Sequence, residues 1–344
     1  MSKRRLLSVG LGAAIVAATF FFVLPRIANY RDVWDAAKDL SWRDLGILGL
    51  ATLLNLVTYA PPWQAALRGL GFRRAFVMTQ ASTASTYLAP GGAAVGMALS
   101  YAMLRAWGFA QRPVAVAVAV VGVWNQFAML GFPLIGLALL TYAKEDSSLV
   151  QTVALIGVVV FVAAAAAFAA VLATPRFARW AGVMAARVTT RMLGLVRGRP
   201  VAWGGESFVR FRNDALDLLK QRWHVITLAT LAGHLTVFLL MLASLRAFGV
   251  SSDEISATEA FASWSLVRLL GSLPITPGGI GVVEVGLTGA LVGFGGDNAE
   301  VVAAVLVYRF LAVVPTLVLG LFAGVTWRRY RPEVEPVPGP PPSL

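Results

Sequence analysis

Apolar residues run along this chain in long unbroken blocks, not in the alternation of a strand or the narrow stripe of a surface helix. The blocks occupy residues 6–24, 45–67, 114–143, 149–173, 225–247 and 301–327. Each reaches the roughly 18 residues a helix needs to cross a hydrocarbon layer ~30 Å thick. The pattern therefore predicts six full transmembrane helices. The first block follows Lys3-Arg4-Arg5 and has no convincing small-x-small cleavage site before Pro25, so it reads as a retained span rather than a signal peptide.

Two further apolar stretches, 75–104 and 260–296, are interrupted at their centres by Ala89-Pro90-Gly91-Gly92 and Thr276-Pro277-Gly278-Gly279. Proline removes an amide donor and disfavours helix in the residue before it, and paired glycines release the backbone from helical geometry. Each side of the first break holds about 14 residues, or ~21 Å of helix, too short to cross. Two half-helices folded into a re-entrant hairpin fit this length; two short full crossings give the same parity and stay open. The fold class expected is thus an all-α polytopic membrane protein. It would have about six full spans and two oppositely inserted broken hairpins in one domain over 1–330.

Charge orients the spans. With the N-terminus inside and each hairpin returning to its own side, the inside segments collect 21 of the 29 basic residues, ten of them in the loop 174–222. The outside segments are neutral or acidic. Single crossings at the breaks would place that basic loop outside, against the positive-inside rule. Both termini are therefore expected in the cytoplasm, at the cell membrane. The two hairpins then enter from opposite faces.

Composition agrees and excludes. Of 344 residues 58% are hydrophobic and 13% charged, with a mean hydropathy of +0.74. Those values rule out a soluble Rossmann or TIM-barrel enzyme, and unbroken apolar runs rule out a transmembrane β-barrel. The formal net charge of +12 signifies orientation and contact with anionic lipid, not nucleic acid. No cysteine and two histidines, His224 and His234, leave no thiol chemistry and no histidine metal cluster, so no cofactor is expected. Arginine outnumbers lysine 25 to 4, a bias that suits a GC-rich bacterial genome.

The breaks share the pattern Pro-Gly-Gly-x-x-Val at 90–95 and 277–282. Paired broken helices in corresponding positions of two halves point to a transporter with a midplane site. After each Pro-Gly-Gly a half-helix begins with free N–H groups and its positive dipole end inside the membrane, which suits a carboxylate or phosphate. Structural kinks packed by neighbouring helices are the alternative. Pro90, Gly91, Gly92, Pro277, Gly278 and Gly279 are thus candidate binding positions. Three charged residues remain inside apolar segments: Arg268, Glu284 and Arg309. Such residues are costly in the membrane and by default face a cavity or one another. In one reading Arg268 and Arg309 hold a phosphate while Glu284 takes an ammonium group or a proton and couples transport. In the other, Glu284 forms a closed ion pair with one of the arginines.

Asn55, Gln80, Asn125 and Gln126 are candidates for hydrogen bonds between helices, and His234 for a packed histidine or a proton carrier. In the basic loop Phe177, Trp180, Val183 and Met184 recur at helical spacing among arginines. Short amphipathic helices on the inner leaflet, bound to anionic lipid, are expected there, with a solvated linker as the alternative. The proline-rich tail 331–344 reads as disordered.

The segment Leu273-Pro274-Ile275-Thr276-Pro277-Gly278-Gly279-Ile280-Gly281-Val282-Val283-Glu284 resembles the signature of the lysylphosphatidylglycerol synthase transmembrane-region (flippase-like) family. Tyr308-Arg309 and Leu88-Ala89-Pro90-Gly91-Gly92 are similar to that family's pattern too, and the resemblance covers roughly 6–326. It implies a lipid-translocating membrane domain. In bifunctional members that domain moves an aminoacylated phospholipid between leaflets, while a separate cytosolic domain attaches the amino acid. No such domain follows here, so synthase activity is not implied. Where many members carry a charge just after the first break, Ala93 to Leu104 offer only Ser100 and Tyr101.

The function expected is a lipid flippase or scramblase for an anionic or aminoacylated headgroup, whether on a phospholipid or a polyprenyl-phosphate carrier. It would not be an enzyme, since one buried carboxylate, no HExxH and no GxSxG leave a lipid-modifying activity little to work with. A non-transporting scaffold that binds lipid is the alternative, and a homo-oligomer or a separate lipid-synthesising enzyme are the protein partners left open. No nucleotide-binding motif is visible, so movement would be downhill or coupled to protons or potential.

Overall fold

The computed structural model describes residues 38, 40–88, 92–143, 148–195, 203–273 and 276–330. The first predicted span, the proline-rich tail, Pro90 and Gly91 lie outside these. The described chain is helical throughout its regular structure. In order the helices are α1 (Trp42–Thr58), α2 (Pro61–Ala66), α3 (Phe72–Leu88), α4 (Gly92–Ala106), α5 (Gln111–Ala143), α6 (Ser148–Ala173), α7 (Pro175–Leu195), α8 (Gly205–Ala247), α9 (Ala257–Gly271), α10 (Val282–Gly293) and α11 (Asn298–Thr326). Among the described residues, five helices or helix pairs are long and apolar enough to cross a membrane: Trp42–Ala66, Gln111–Thr141, Leu155–Ala173, Gly205–Ala247 and Asn298–Thr326. They coincide with the second to sixth apolar blocks, so the chain is a multi-pass all-α membrane protein.

Local chemistry explains the helix starts. Ser41 accepts the Asp44 N–H at the head of α1, and Asp297 accepts from Ala299 and Glu300 at the head of α11. Ser256 and Glu259 form a reciprocal capping box at the head of α9. The broken stretches fold as expected from length. α3 and α4 hold 17 and 15 residues, α9 and α10 hold 15 and 12. At 1.5 Å per residue these are rods of roughly 18–26 Å, each shorter than the hydrocarbon core. Each pair doubles back on itself.

Both halves repeat one order: a long helical segment, a broken hairpin, a long helix. α1–α2, α3–α4 and α5 correspond to α8, α9–α10 and α11. The hairpins are exchanged between the halves. α3 lies against α11, where a β-carbon at Gly320 would collide with Ala84 and the Gln80 carbonyl; α9 lies against α5, where one at Gly136 would come within 2.9 Å of Ala262 Cα. The hairpins also open at opposite ends of α11. Trp107, just past α4, donates to the Trp327 carbonyl at one end, while Gly296 abuts Ile255 and Val301 at the other. This is the arrangement expected of an inverted repeat.

Two elements depart from the sequence reading. The span 45–67 is bent, because Pro61-Pro62 ends α1 at Thr58 and starts a short second segment. Among the described residues of the basic loop, α7 is the separate helix; from Gly205 onward the chain already belongs to α8, 43 residues long. No glycine or proline stands between Glu206 and Ala232, so nothing stops that helix before it reaches its apolar part. α7 buries Ala178 and Gly182 against α8 and leaves Phe177, Trp180, Met184 and Val188 exposed along one side. Val183 turns toward Gly205 instead of joining that stripe.

Candidate functional site

The second break is built from glycines that no other residue could replace without strain. Gly278 and Gly279 adopt φ of 61° and 69°, and Gly281 a φ of 83°. Such values are left-handed and cost an L-residue roughly 1–2 kcal/mol. Space is equally restrictive: a β-carbon at Gly278 would enter the ring of Tyr87, and one at Gly279 would lie 2.9 Å from the Gly271 carbonyl. Tyr87 is the penultimate residue of α3, just before the first break. The end of α3 therefore meets the second break. Tyr87, Leu88 and Ile280 gather with Val313 and Leu317 of α11 in one small apolar cluster. At the first break Gly92 opens α4 and faces the Thr86 backbone, again with no room for a side chain.

Glu284 and Arg309 form a closed pair beside this junction. Arg309 Nε donates to Glu284 Oε1 at 2.5 Å, and the side chains are 6% and 15% exposed for Arg309 and Glu284 respectively. Arg309 Nη2 donates to the Gly278 carbonyl at 3.2 Å, and Glu284 Oε2 accepts the Gly281 N–H at 2.6 Å. The anion at the start of α10 is thus the protein's own carboxylate. Of the two sequence alternatives for Glu284, the ion pair is the geometry present, and its partner is Arg309 rather than Arg268. Together the pair ties α11 to the backbone opened by the break and satisfies groups that would be costly in a membrane interior.

Arg268 is held differently. Its Nη2 donates to Tyr59 Oη at 2.9 Å and to His234 Nδ1 at 3.1 Å, and its guanidinium stands 5.3 Å from the Trp264 ring centroid. No carboxylate among the described residues lies within ion-pair distance of it. Its Nε–H and Nη1–H groups make no hydrogen bond there. Since arginine can only donate, His234 Nδ1 must accept; His234 Nε2 then carries the proton and donates to Asn125 Oδ1 at 3.0 Å. Asn125 is oriented for that by its own amide, which donates to the Val121 carbonyl. Histidine is therefore the neutral Nε2–H tautomer, set by its neighbours on α9 and α5. Phe132 and Tyr59 pack edge-on against the same ring.

Tyr59 and Tyr87 were not singled out from sequence. Pro61-Pro62 was the available signal for Tyr59, since the bend they impose turns its hydroxyl toward Arg268; nothing local marks Tyr87, whose role depends on a break 190 residues away. Asn125 and His234 do bond between helices. Gln80 donates to the Leu56 carbonyl at 2.9 Å, while Asn55 Oδ1, Ser100 Oγ and Thr276 Oγ1 are buried without a hydrogen-bond partner among the described residues. A groove of about 490 Å³ runs between α1 and α8. Leu50, Leu54 and Leu239 line it, with Arg43 and Arg246 at one end and Thr236 at the other. Thr236 bonds Thr58 at 2.9 Å, one residue from Tyr59, so the groove ends next to the Arg268 cluster.

No curated protein matches the chain. A family model does, over residues 8–320. The bent span, the paired breaks, the interior charges and Tyr308-Arg309 all fall inside that match. The chain belongs to the family described as Lysylphosphatidylglycerol synthase TM region, a membrane family linked to lipid handling.

Proposed function

We propose that the protein moves a lipid headgroup between leaflets through the space where the end of α3 meets the second break, as a transporter and not as an enzyme. One observation carries this reading: Arg268 is an interior cation whose partners, Tyr59, His234 and Trp264, are all neutral. Charge inside a bilayer is retained for a partner or a passage. A lipid-binding scaffold with no passage would be expected to close that charge by pairing Arg268 with Glu284, yet the carboxylate serves Arg309. The paired group is a latch, and the unpaired one is the headgroup contact.

In this reading the hairpins are re-entrant, the headgroup passes between their tips, and acyl chains stay in the bilayer or in the α1–α8 groove. The end of the bundle bearing α7 faces the cytoplasm, where arginines beside Phe177 and Trp180 sit on anionic lipid. The test is leaflet exchange in vesicles containing the full chain, for labelled lipids of several headgroups. Wild type should exchange at least one of them, and Arg268→Ala should lose that exchange while remaining monodisperse with an unchanged melting temperature. Exchange that survives Arg268→Ala undiminished would remove the headgroup role.

A further inference from the structure

Resting on the translocation reading, the geometry points to a substrate class: we infer that the site selects a lipid whose headgroup is a net-anionic phosphodiester, and rejects one made cationic by an esterified amino acid. The argument is one of charge. Among the described residues the charged groups around the hairpin tips are Arg268, Arg309 and Glu284, which leaves one positive charge uncompensated. A cationic headgroup needs a carboxylate whose charge is not already balanced. Glu284 already gives Oε1 to Arg309 and Oε2 to the Gly281 N–H. Glu259, the other buried acid of that hairpin, stands nine residues before Arg268, about 13 Å along α9, and is held in the capping box with Ser256.

The remaining groups are donors. Among the described residues Arg268 keeps its Nε–H and Nη1–H groups unused, and each can donate to a phosphate oxygen. Tyr59, Tyr87 and Tyr308 all lie within electrostatic reach of Arg268, and Thr276 Oγ1 beside the break is buried with no hydrogen-bond partner among the described residues. Neutral hydroxyls and an unpaired guanidinium complement a phosphodiester. An ammonium group would meet the guanidinium as a like charge, and such juxtaposition is a strong discriminator between ligands.

The experiment uses the full chain in vesicles with three trace probes of identical acyl chains: an anionic glycerophosphoglycerol lipid, its cationic lysyl ester, and a zwitterionic ethanolamine lipid. Each carries a fluorophore on one chain, quenched from outside by an impermeant reductant. The anionic probe should exchange at least about tenfold faster than the lysyl ester, with the zwitterion between them. Arg268→Lys should keep that order, and Arg268→Gln should bring the anionic probe down to the rate of the lysyl ester. A lysyl ester moving as fast as the anionic probe overturns the selectivity and leaves translocation standing. If no probe moves, translocation is what fails; short-chain versions of the three lipids, titrated onto the protein in neutral micelles, then decide selectivity by their Kd. Equal Kd for anionic and cationic versions would overturn it there, and a tenfold preference for the anion would uphold it. Wild type alone gives the ranking, so neither result depends on a variant folding.

Discussion

The two halves of the molecule share a frame and differ in chemistry. Each sends a broken hairpin across to the long helix of the other, and each makes that crossing at a glycine, Gly320 for α3 and Gly136 for α9. Yet the first hairpin is lined with hydroxyls that bond back to their own helices: Ser82 to Thr79, Ser85 to Ser82 and Thr86 to Thr83. The second carries Arg268 and Glu284 and reaches Arg309. Symmetry of packing therefore does not extend to charge. The first hairpin supplies a wall and the Tyr87 ring; among the described residues the ionised groups at the junction all come from the second half, Arg268 and Glu284 from its hairpin and Arg309 from α11. A repeat of this kind conserves the close approaches that define its shape and leaves the chemistry free to gather in one half.

That contrast can be broken most severely at the ion pair. Glu284→Gln or Arg309→Ala should each lower unfolding free energy by about 3–5 kcal/mol, because removing one partner leaves a buried charge alone. Reversible unfolding in mixed micelles would measure it, and a loss under 1 kcal/mol would deny the latch. The double change Glu284→Gln with Arg309→Gln should recover part of the loss.

Next come the breaks. Gly278→Ala should cost roughly 2–4 kcal/mol, from positive φ and from collision with Tyr87. Tyr87→Ala in the same chain should restore the steric part, since a side chain can be removed. Gly92→Ala should cost a similar amount, but truncating a neighbouring side chain will not rescue it, because its obstacle is the Thr86 backbone. Rescue at both breaks, or at neither, would remove the distinction.

The crossing glycines should give a smaller and graded effect. Gly320→Ala and Gly136→Ala are expected to cost about 1–3 kcal/mol each as overpacking, with Gly320 the larger because its contacts are closer and include the Gln80 carbonyl. Thermal melting of the two variants side by side would show the order. Smallest of all is Ser100→Ala in α4, expected within about 0.5 kcal/mol of wild type or stabilising, because the Oγ it removes is buried without a partner. A loss above 1 kcal/mol would mean that the hydroxyl has a partner after all.

Much of the architecture was legible from local composition. Five apolar blocks became spans because length and hydropathy are properties of contiguous residues. Both hairpins were readable because Pro-Gly-Gly acts on its own backbone wherever it stands. The bend at Pro61-Pro62 follows the same physics, although within a long apolar block it does not by length alone suggest a break. The continuous α8 had a readable signal too, in the lack of any helix breaker between its basic and apolar parts. The site was readable only as a list of residues. Arg268, Glu284 and Arg309 stand out by charge, but nothing near them in the chain says which arginine the carboxylate takes.

By itself the sequence determined a polytopic all-α membrane protein, the places where its helices must stop, and the three ionised groups enclosed among them. These follow from transfer free energy, helix length and backbone stereochemistry, which operate over a few turns. The tertiary structure alone decided that Glu284 closes on Arg309, that Tyr59, 209 positions away, and His234, 34 away, hold Arg268, and that Tyr87 of one break covers Gly278 of the other. Those choices depend on distances between side chains brought together by folding, because an ion pair or hydrogen bond acts over a few ångströms of space and carries no period along the chain.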